Sequence, residues 1–366
     1  MFRAFAVSWV VLYHINVFFD LGPLLGKFFP IFFKISDPGE LGVDLFFVLS
    51  GFLISGLLLP DLDSHIRVKR FYGRRFFKII PQYLVATLIG LLISHAMSPF
   101  NVIYRQVGWG YEGLTYFHSH NPQADVLSHF LFYQNFAQRV GILSHTWSLA
   151  IEEHFYFLFP LLLAAICRIT PQLKWRRAIL FGVLVAFLAS ITLVRAYYVN
   201  AEGIRARPFI FNRYDAIAFG CLLRLLEPEF QRIPDSAWRP LSIAFLILGI
   251  SIFLSYIVLG FNRMSLAGYP RAYVASGLLI LAFLRGEPWA FLKVIMNNKT
   301  LIAVGKISYG LYLWHYIIAY PFHQWSFVLG VPTSVALYLG AVLAAGLLST
   351  NVIEKYFLDL RARALP

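Results

Sequence analysis

Residues 40–60 read ELGVDLFFVLSGFLISGLLLP. Between Glu40 and Pro60 the one ionisable side chain is Asp44, and nearly every other position is Leu, Phe, Val, Ile, Gly or Ser. An α-helix rising 1.5 Å per residue needs roughly 20 such residues to cross a hydrocarbon core. A barrel strand would instead alternate polar and apolar residues over about ten positions. This stretch does not alternate, so it reads as a transmembrane helix that carries one acid.

Working outward, comparable apolar runs occupy 4–20, 77–97, 148–168 and 178–199. The second half adds 209–226, 240–260, 271–285, 301–322 and 333–354, of which 271–285 is the shortest. Across 366 residues, 59% are hydrophobic and 13% charged, against roughly 25% charged in soluble domains. A water-soluble core could not hide that much apolar surface. The expectation is an all-α integral membrane protein, a bundle of about ten transmembrane helices, forming one membrane domain over 1–366 with no fused soluble domain.

The formal net charge is +13. Its distribution speaks for topology rather than for nucleic acid, which is not expected as a partner. With the N-terminus inside and ten spans, twenty of the 31 Lys and Arg residues fall on inner segments, nine on outer ones and two within spans. That bias places both termini in the cytoplasm. Cys167 and Cys221 both lie in apolar runs, which argues against a disulfide framework. MFRAFAVSWVVLYH lacks the small-residue cleavage site of a signal peptide. The longest connection, about 98–147, is rich in Tyr, His, Asn and Gly and is expected to hold short interfacial helices.

Ionisable residues inside spans mark function by default. Arg3 and His14 are eleven residues apart, close to three helical turns, so they share a face, with His14 ~16 Å deeper than Arg3. The inner loop 67–78, RVKRFYGRRFFK, sets Arg70, Arg74 and Lys78 at i, i+4 and i+8, beside Arg75. Guanidinium groups grip phosphate bidentately, although any inner loop gathers positive charge. In HTWSLAIEEHFYFLFP, Ser148, Glu152 and Tyr156 share a stripe, with Glu153 adjacent. Arg213 and Asp215 of FNRYDAIAFG form a candidate charge-neutralised pair, and Glu354 lies at the end of the last run. In GKISYGLYLWHY, Ser308, Tyr312 and His315 fall on one face. Two histidines in FHSHN are too weak a signal for a metal site, and no metal is assigned.

RAFAVSWVVLYH, GVDLFFVLSGFLI, FYGRRFFKIIPQY and WSLAIEEHFY, followed by FNRYDAIAFG and GKISYGLYLWHY, together resemble the membrane-bound acyltransferase-3 family. The resemblance implies about ten helices and transfer of an acyl group from acyl-CoA to a hydroxyl, usually on a sugar. It places the family's Arg-x10-His pair on Arg3 and His14, its GVDLFF acid on Asp44, its arginines on Arg70 and Arg74, and its WSL-x-x-E acid on Glu152. The family's Leu-Asp-Gly-Leu-type lead is replaced by Met1 and Phe2. The expected catalytic set is therefore His14, Arg3, Glu152 and Asp44, with Arg70, Arg74, Arg75 and Lys78 on the CoA phosphates. Trp147, Ser148, Arg213, Asp215, Ser308, Tyr309 and His315 are the candidate substrate contacts. Acetyl-CoA or another acyl-CoA is the expected donor and a glycan hydroxyl the acceptor, in a bacterial inner membrane. The rival readings are acylation of a small antibiotic-like molecule and a transporter or flippase. The second would suit intramembrane charges, but no repeated halves are visible in the sequence.

Overall fold

The computed structural model describes residues 1–60, 68–97, 122–136, 141–202, 213–260, 266–286, 289 and 292–364. Among them there is no strand, and ten helices run for fifteen residues or more. They are α1 (Phe2–Phe18), α2 (Gly42–Leu58), α3 (Val68–Met97), α4 (Trp147–Ile169) and α5 (Leu173–Glu202). They continue with α6 (Tyr214–Gln231), α7 (Asp235–Leu259), α8 (Gly268–Ala282), α9 (Ser308–Leu329) and α10 (Val331–Leu348).

Each coincides with one of the ten apolar runs. By length and composition, six helical stretches of the described residues suffice to cross a membrane, or seven if Lys299–Lys306 and α9 count as one span. The protein is a multi-pass membrane protein, all-helical among its described residues.

Three details differ from expectation. The basic segment before the third run is not a loop from Val68 onward: it is the first turns of α3. Long Lys and Arg stems let a helix extend past the apolar run while their charged heads stay in water. The run at 301–322 is broken at Ile307, so that α9 begins only at Ser308. Lys306 closes the preceding short helix, Lys299–Lys306, at the break. Among the described residues, the 98–147 connection holds the short helix Pro122–Phe130 and the 3-10 segment Gly141–Thr146. The FHSHN motif and residues 209–212 lie outside the described residues.

The chain divides into two compact units, Met1–Tyr13 with Pro30–Val68 and His154–Lys306, and His14–Phe29 with Lys69–Glu153 and Ile307–Pro366. In the first, α2 packs on α6 and α8, α5 on α6, and α7 on α8. Reciprocal glycines set the closest approach. A Cβ on Gly51 of α2 would stand 2.0 Å from the Ile217 carbonyl oxygen, and one on Gly220 of α6 would stand 2.1 Å from that of Val48. Lipid supplies little hydrophobic drive between helices, so such small-residue contacts let backbones meet and gain dispersion energy. Trp9 anchors α1 in this unit: its indole N–H donates to the Ile35 carbonyl at 2.8 Å, and its ring meets Phe253 edge-on at 5.5 Å.

In the second unit α9 packs on α10 and on the Gly141–Thr146 segment. Beyond α10 the helix widens into a π-helical stretch, Ser349–Glu354, and then runs on as Lys355–Ala364. Gln82 of α3, fully buried, bridges the two ends of that stretch. Its Nε2 donates to Glu354 Oε2 at 3.0 Å and its Oε1 accepts from the Ser349 hydroxyl at 2.8 Å. The π turn brings both ends of the stretch onto one glutamine.

Candidate active site

The second unit gathers polar side chains around α9. Helical spacing puts Ser308, Tyr312 and His315 on one side of it, and all three are buried. Tyr312 Oη lies 2.6 Å from Ser148 Oγ at the start of α4, and both hydroxyls reach the His145 carbonyl, at 3.1 and 3.3 Å. Two hydroxyl hydrogens thus serve one carbonyl and the contact between the hydroxyls. This bond set pins the 3-10 segment to α9.

A second polar clamp holds the same segment from behind. Gln134 donates to the Thr146 carbonyl at 3.1 Å, and Asn135 donates to that of Trp147 at 2.9 Å. Tyr83 of α3 donates to the His129 carbonyl at 2.8 Å and stacks on Phe132, a non-glycine residue at φ 57°. Hydrogen bonds in a buried, low-dielectric setting are stronger than in water and hold the segment in place.

What they hold is an imidazole cluster. The His14 and His315 rings are 4.8 Å apart, and those of His145 and His315 are 5.4 Å apart. Tyr316 lies against His14 edge-on at 4.9 Å and stacks on His145 at 5.0 Å. His315 Nδ1 donates to the Tyr312 carbonyl at 2.5 Å, and His315 Nε2 sits 3.1 Å from His14 Nδ1. His145 Nε2 donates to the Leu313 carbonyl at 3.0 Å. His315 and His145 are buried, whereas His14 is half-exposed. The bonded nitrogens turn to the Leu313 and Tyr312 carbonyls and, for His315 Nε2, to His14 Nδ1. Among the described residues no group of three His, Cys, Asp or Glu is arranged to hold a metal.

His145 and Tyr316 were not among the sequence candidates. His145 directly precedes the Thr-Trp-Ser-Leu run, and a histidine there, next to an apolar helix, is the signal that could have singled it out. Of the other candidates in this unit, Trp147, Tyr309, Glu152 and Glu153 are half-buried, and the Tyr309 hydroxyl donates to the Ile79 carbonyl at 3.3 Å. On α3, Arg70, Arg74 and Lys78 form an exposed stripe, Lys78 lies 3.8 Å from Glu354, and half-buried Arg75 sits over the Phe71 ring.

The first unit holds a separate charge cluster. Asp44 Oδ2 accepts from Arg213 Nη2 at 2.8 Å, and Asp215 Oδ2 accepts from Arg195 Nη2 at 2.7 Å. All four side chains are buried, and the Arg213 guanidinium lies 4.0 Å from the Tyr269 ring centre. Arg213 and Asp215 are therefore not each other's hydrogen-bonded partners, as their spacing suggested. At the mouth of α6 they point to different helices, Arg213 to α2 and Asp215 to α5. Arg195, which sequence reasoning did not single out, completes the set. Arg3 lies half-buried on α1 in this unit.

Comparison with known proteins falls in line with this architecture. The family model Acyl_transf_3, described as an acyltransferase domain, matches residues 1–351. O-acetyltransferase OatA of Staphylococcus aureus (strain NCTC 8325 / PS 47) is 27% identical over 330 residues, covering 86% of this chain and 49% of that protein. A putative O-acetyltransferase, SACOL0978 of Staphylococcus aureus (strain COL), is 27% identical over 336 residues with the same coverage. The chain thus spans about half the length of the curated relatives it matches. No solved structure matches it.

Proposed function

Because the chain belongs to the acyltransferase-3 family, we propose that it is a membrane-embedded O-acyltransferase, moving an acetyl or other short acyl group from acyl-CoA to a hydroxyl of a glycan. The relatives named as O-acetyltransferases support acetyl as the group and oxygen as its destination. Their bacterial source supports a bacterial inner membrane as the setting.

One observation carries the mechanism: a half-exposed imidazole, His14, hydrogen-bonded at 3.1 Å within a buried aromatic and polar cluster. A positioned imidazole is the commonest general base. His14 takes the proton of the acceptor hydroxyl while that oxygen attacks the thioester carbonyl. The tetrahedral intermediate then expels the CoA thiolate, the carbon–sulfur bond breaks, and the ester remains on the acceptor. The thiolate recovers the proton from imidazolium or solvent.

Glu152 supplies negative charge that stabilises the imidazolium, as the acid of a triad does. Arg70, Arg74 and Lys78 present an exposed cationic stripe suited to CoA phosphates, with Arg75 adding positive charge. Trp147, Ser148, Ser308 and Tyr309 contribute to acceptor binding. Asp44, Arg213 and Asp215 act through the buried ion pairs that brace α2, α5 and α6.

Purified protein incubated with acetyl-CoA and glycan oligosaccharides should release free thiol and form acetyl ester. His14→Ala, shown to be folded by gel filtration, should lower that rate at least about 10²-fold. Full activity in His14→Ala would exclude the base assignment. No thiol release from any acyl-CoA, with movement of a glycolipid between leaflets, would favour a flippase.

A further inference from the structure

We infer that His315 is a positioning residue that sets the tautomer of His14, making His14 Nε2 the nitrogen that receives the proton. The inference rests on the general-base reading above.

A backbone carbonyl only accepts, so the contact between His315 Nδ1 and the Tyr312 carbonyl places a hydrogen on Nδ1. The neutral ring then carries its lone pair on Nε2. That nitrogen faces His14 Nδ1 at 3.1 Å, so His14 Nδ1 must be the donor. Neutral His14 consequently carries its own lone pair on Nε2. Imidazole in water has no such constraint, and which nitrogen holds the proton in a protein is set by the bond the other nitrogen makes.

The device is stiff at each link. The His315 ring is folded back onto its own helix, onto the carbonyl three residues earlier, and is 0% exposed. Tyr312 is fixed by Ser148 and the His145 carbonyl. The Tyr316 ring packs edge-on with His14 and stacks on His145. A neutral imidazole thus fills the orienting place that a carboxylate holds in a Ser-His-Asp triad. When His14 Nε2 takes a proton, Nδ1–H keeps its acceptor and the ring does not turn.

The test uses the full-length protein in nanodiscs with ¹⁵N-labelled histidine, recorded above the imidazole titration range, with His14 signals assigned by their loss in His14→Ala. Wild-type His14 should show a protonated Nδ1 and an unprotonated Nε2. His315→Leu should abolish that preference, whereas His315→Gln, whose amide oxygen still accepts, should retain much of it. A protonated Nε2 on wild-type His14, or an unchanged His14 tautomer in His315→Leu, overturns the inference.

Kinetics separates this inference from its premise. With acetyl-CoA, kcat should fall about 10²- to 10³-fold in His315→Leu and recover at least about tenfold in His315→Gln, with KM for acetyl-CoA little changed. Adding His315→Leu to His14→Ala should cost nothing further, because the two act as a unit. If His14→Ala is inactive while His315→Leu is fully active, the base stands and the positioning role falls. If His14→Ala is fully active, the base reading itself falls, and the tautomer measurement still decides the hydrogen-bond assignment.

Discussion

Asp44 and Arg213 illustrate what a single residue contributes. Both side chains are buried and share a 2.8 Å charged hydrogen bond, with the guanidinium laid over Tyr269. Taking two charges out of water costs nearly as much as their attraction returns, so the intact pair adds little net stability. Removing one partner is another matter, because the other charge stays buried. Asp44→Ala should therefore destabilise the protein by about 3–5 kcal/mol, seen as a large drop in the melting temperature in detergent. Replacing both residues, Asp44→Leu with Arg213→Met, should recover most of that loss. Equal melting temperatures for Asp44→Ala and wild type would show that the pair is not formed.

At the level of elements, the crossing of α2 and α6 depends on two residues without side chains. Any Cβ on Gly51 meets the Ile217 carbonyl oxygen at 2.0 Å, well inside van der Waals contact. A backbone oxygen cannot swing away as a side chain does, so the helices would have to separate. Gly51→Val should cut the yield of folded protein sharply and lower the melting temperature; a wild-type melting curve would contradict the crossing. Gly182, exposed on α5, has nothing within 4 Å of its Cβ position. Gly182→Ala should leave stability unchanged or raise it by up to about 1 kcal/mol, through helix propensity alone. The same logic applies to the π-helical stretch of the second unit, where Gln82→Leu would strand Glu354 and Ser349 without their shared partner.

For the molecule as a whole, the decisive quantity is the distribution of charge along a chain of +13. The excess of Lys and Arg on alternate connections predicts both termini in the cytoplasm when ten helices cross. Green fluorescent protein fused after Pro366 should fluoresce, and alkaline phosphatase fused there should be inactive. The opposite pattern would require an odd number of crossings or the inverted orientation. The exposed stripe of Arg70, Arg74 and Lys78 belongs to the same face in that topology, the face from which the proposed acyl-CoA donor approaches.

The helices themselves were legible in the sequence, because lipid leaves a spanning backbone no alternative to satisfying its own hydrogen bonds. Run length and apolar content are local properties, and each of the ten long helices coincides with a run read from them. Periodicity also showed that Ser308, Tyr312 and His315 share a face, and that Arg70, Arg74 and Lys78 form a stripe. What the sequence could not supply was the identity of the facing residue. Arg213 stands two positions from Asp215 yet bonds Asp44, 169 residues away, and His315 meets His14 across 301 residues. A helical wheel states which way a side chain leaves its own axis; only the packing of helices decides what it meets there, and hence which nitrogen of His14 is left to take a proton.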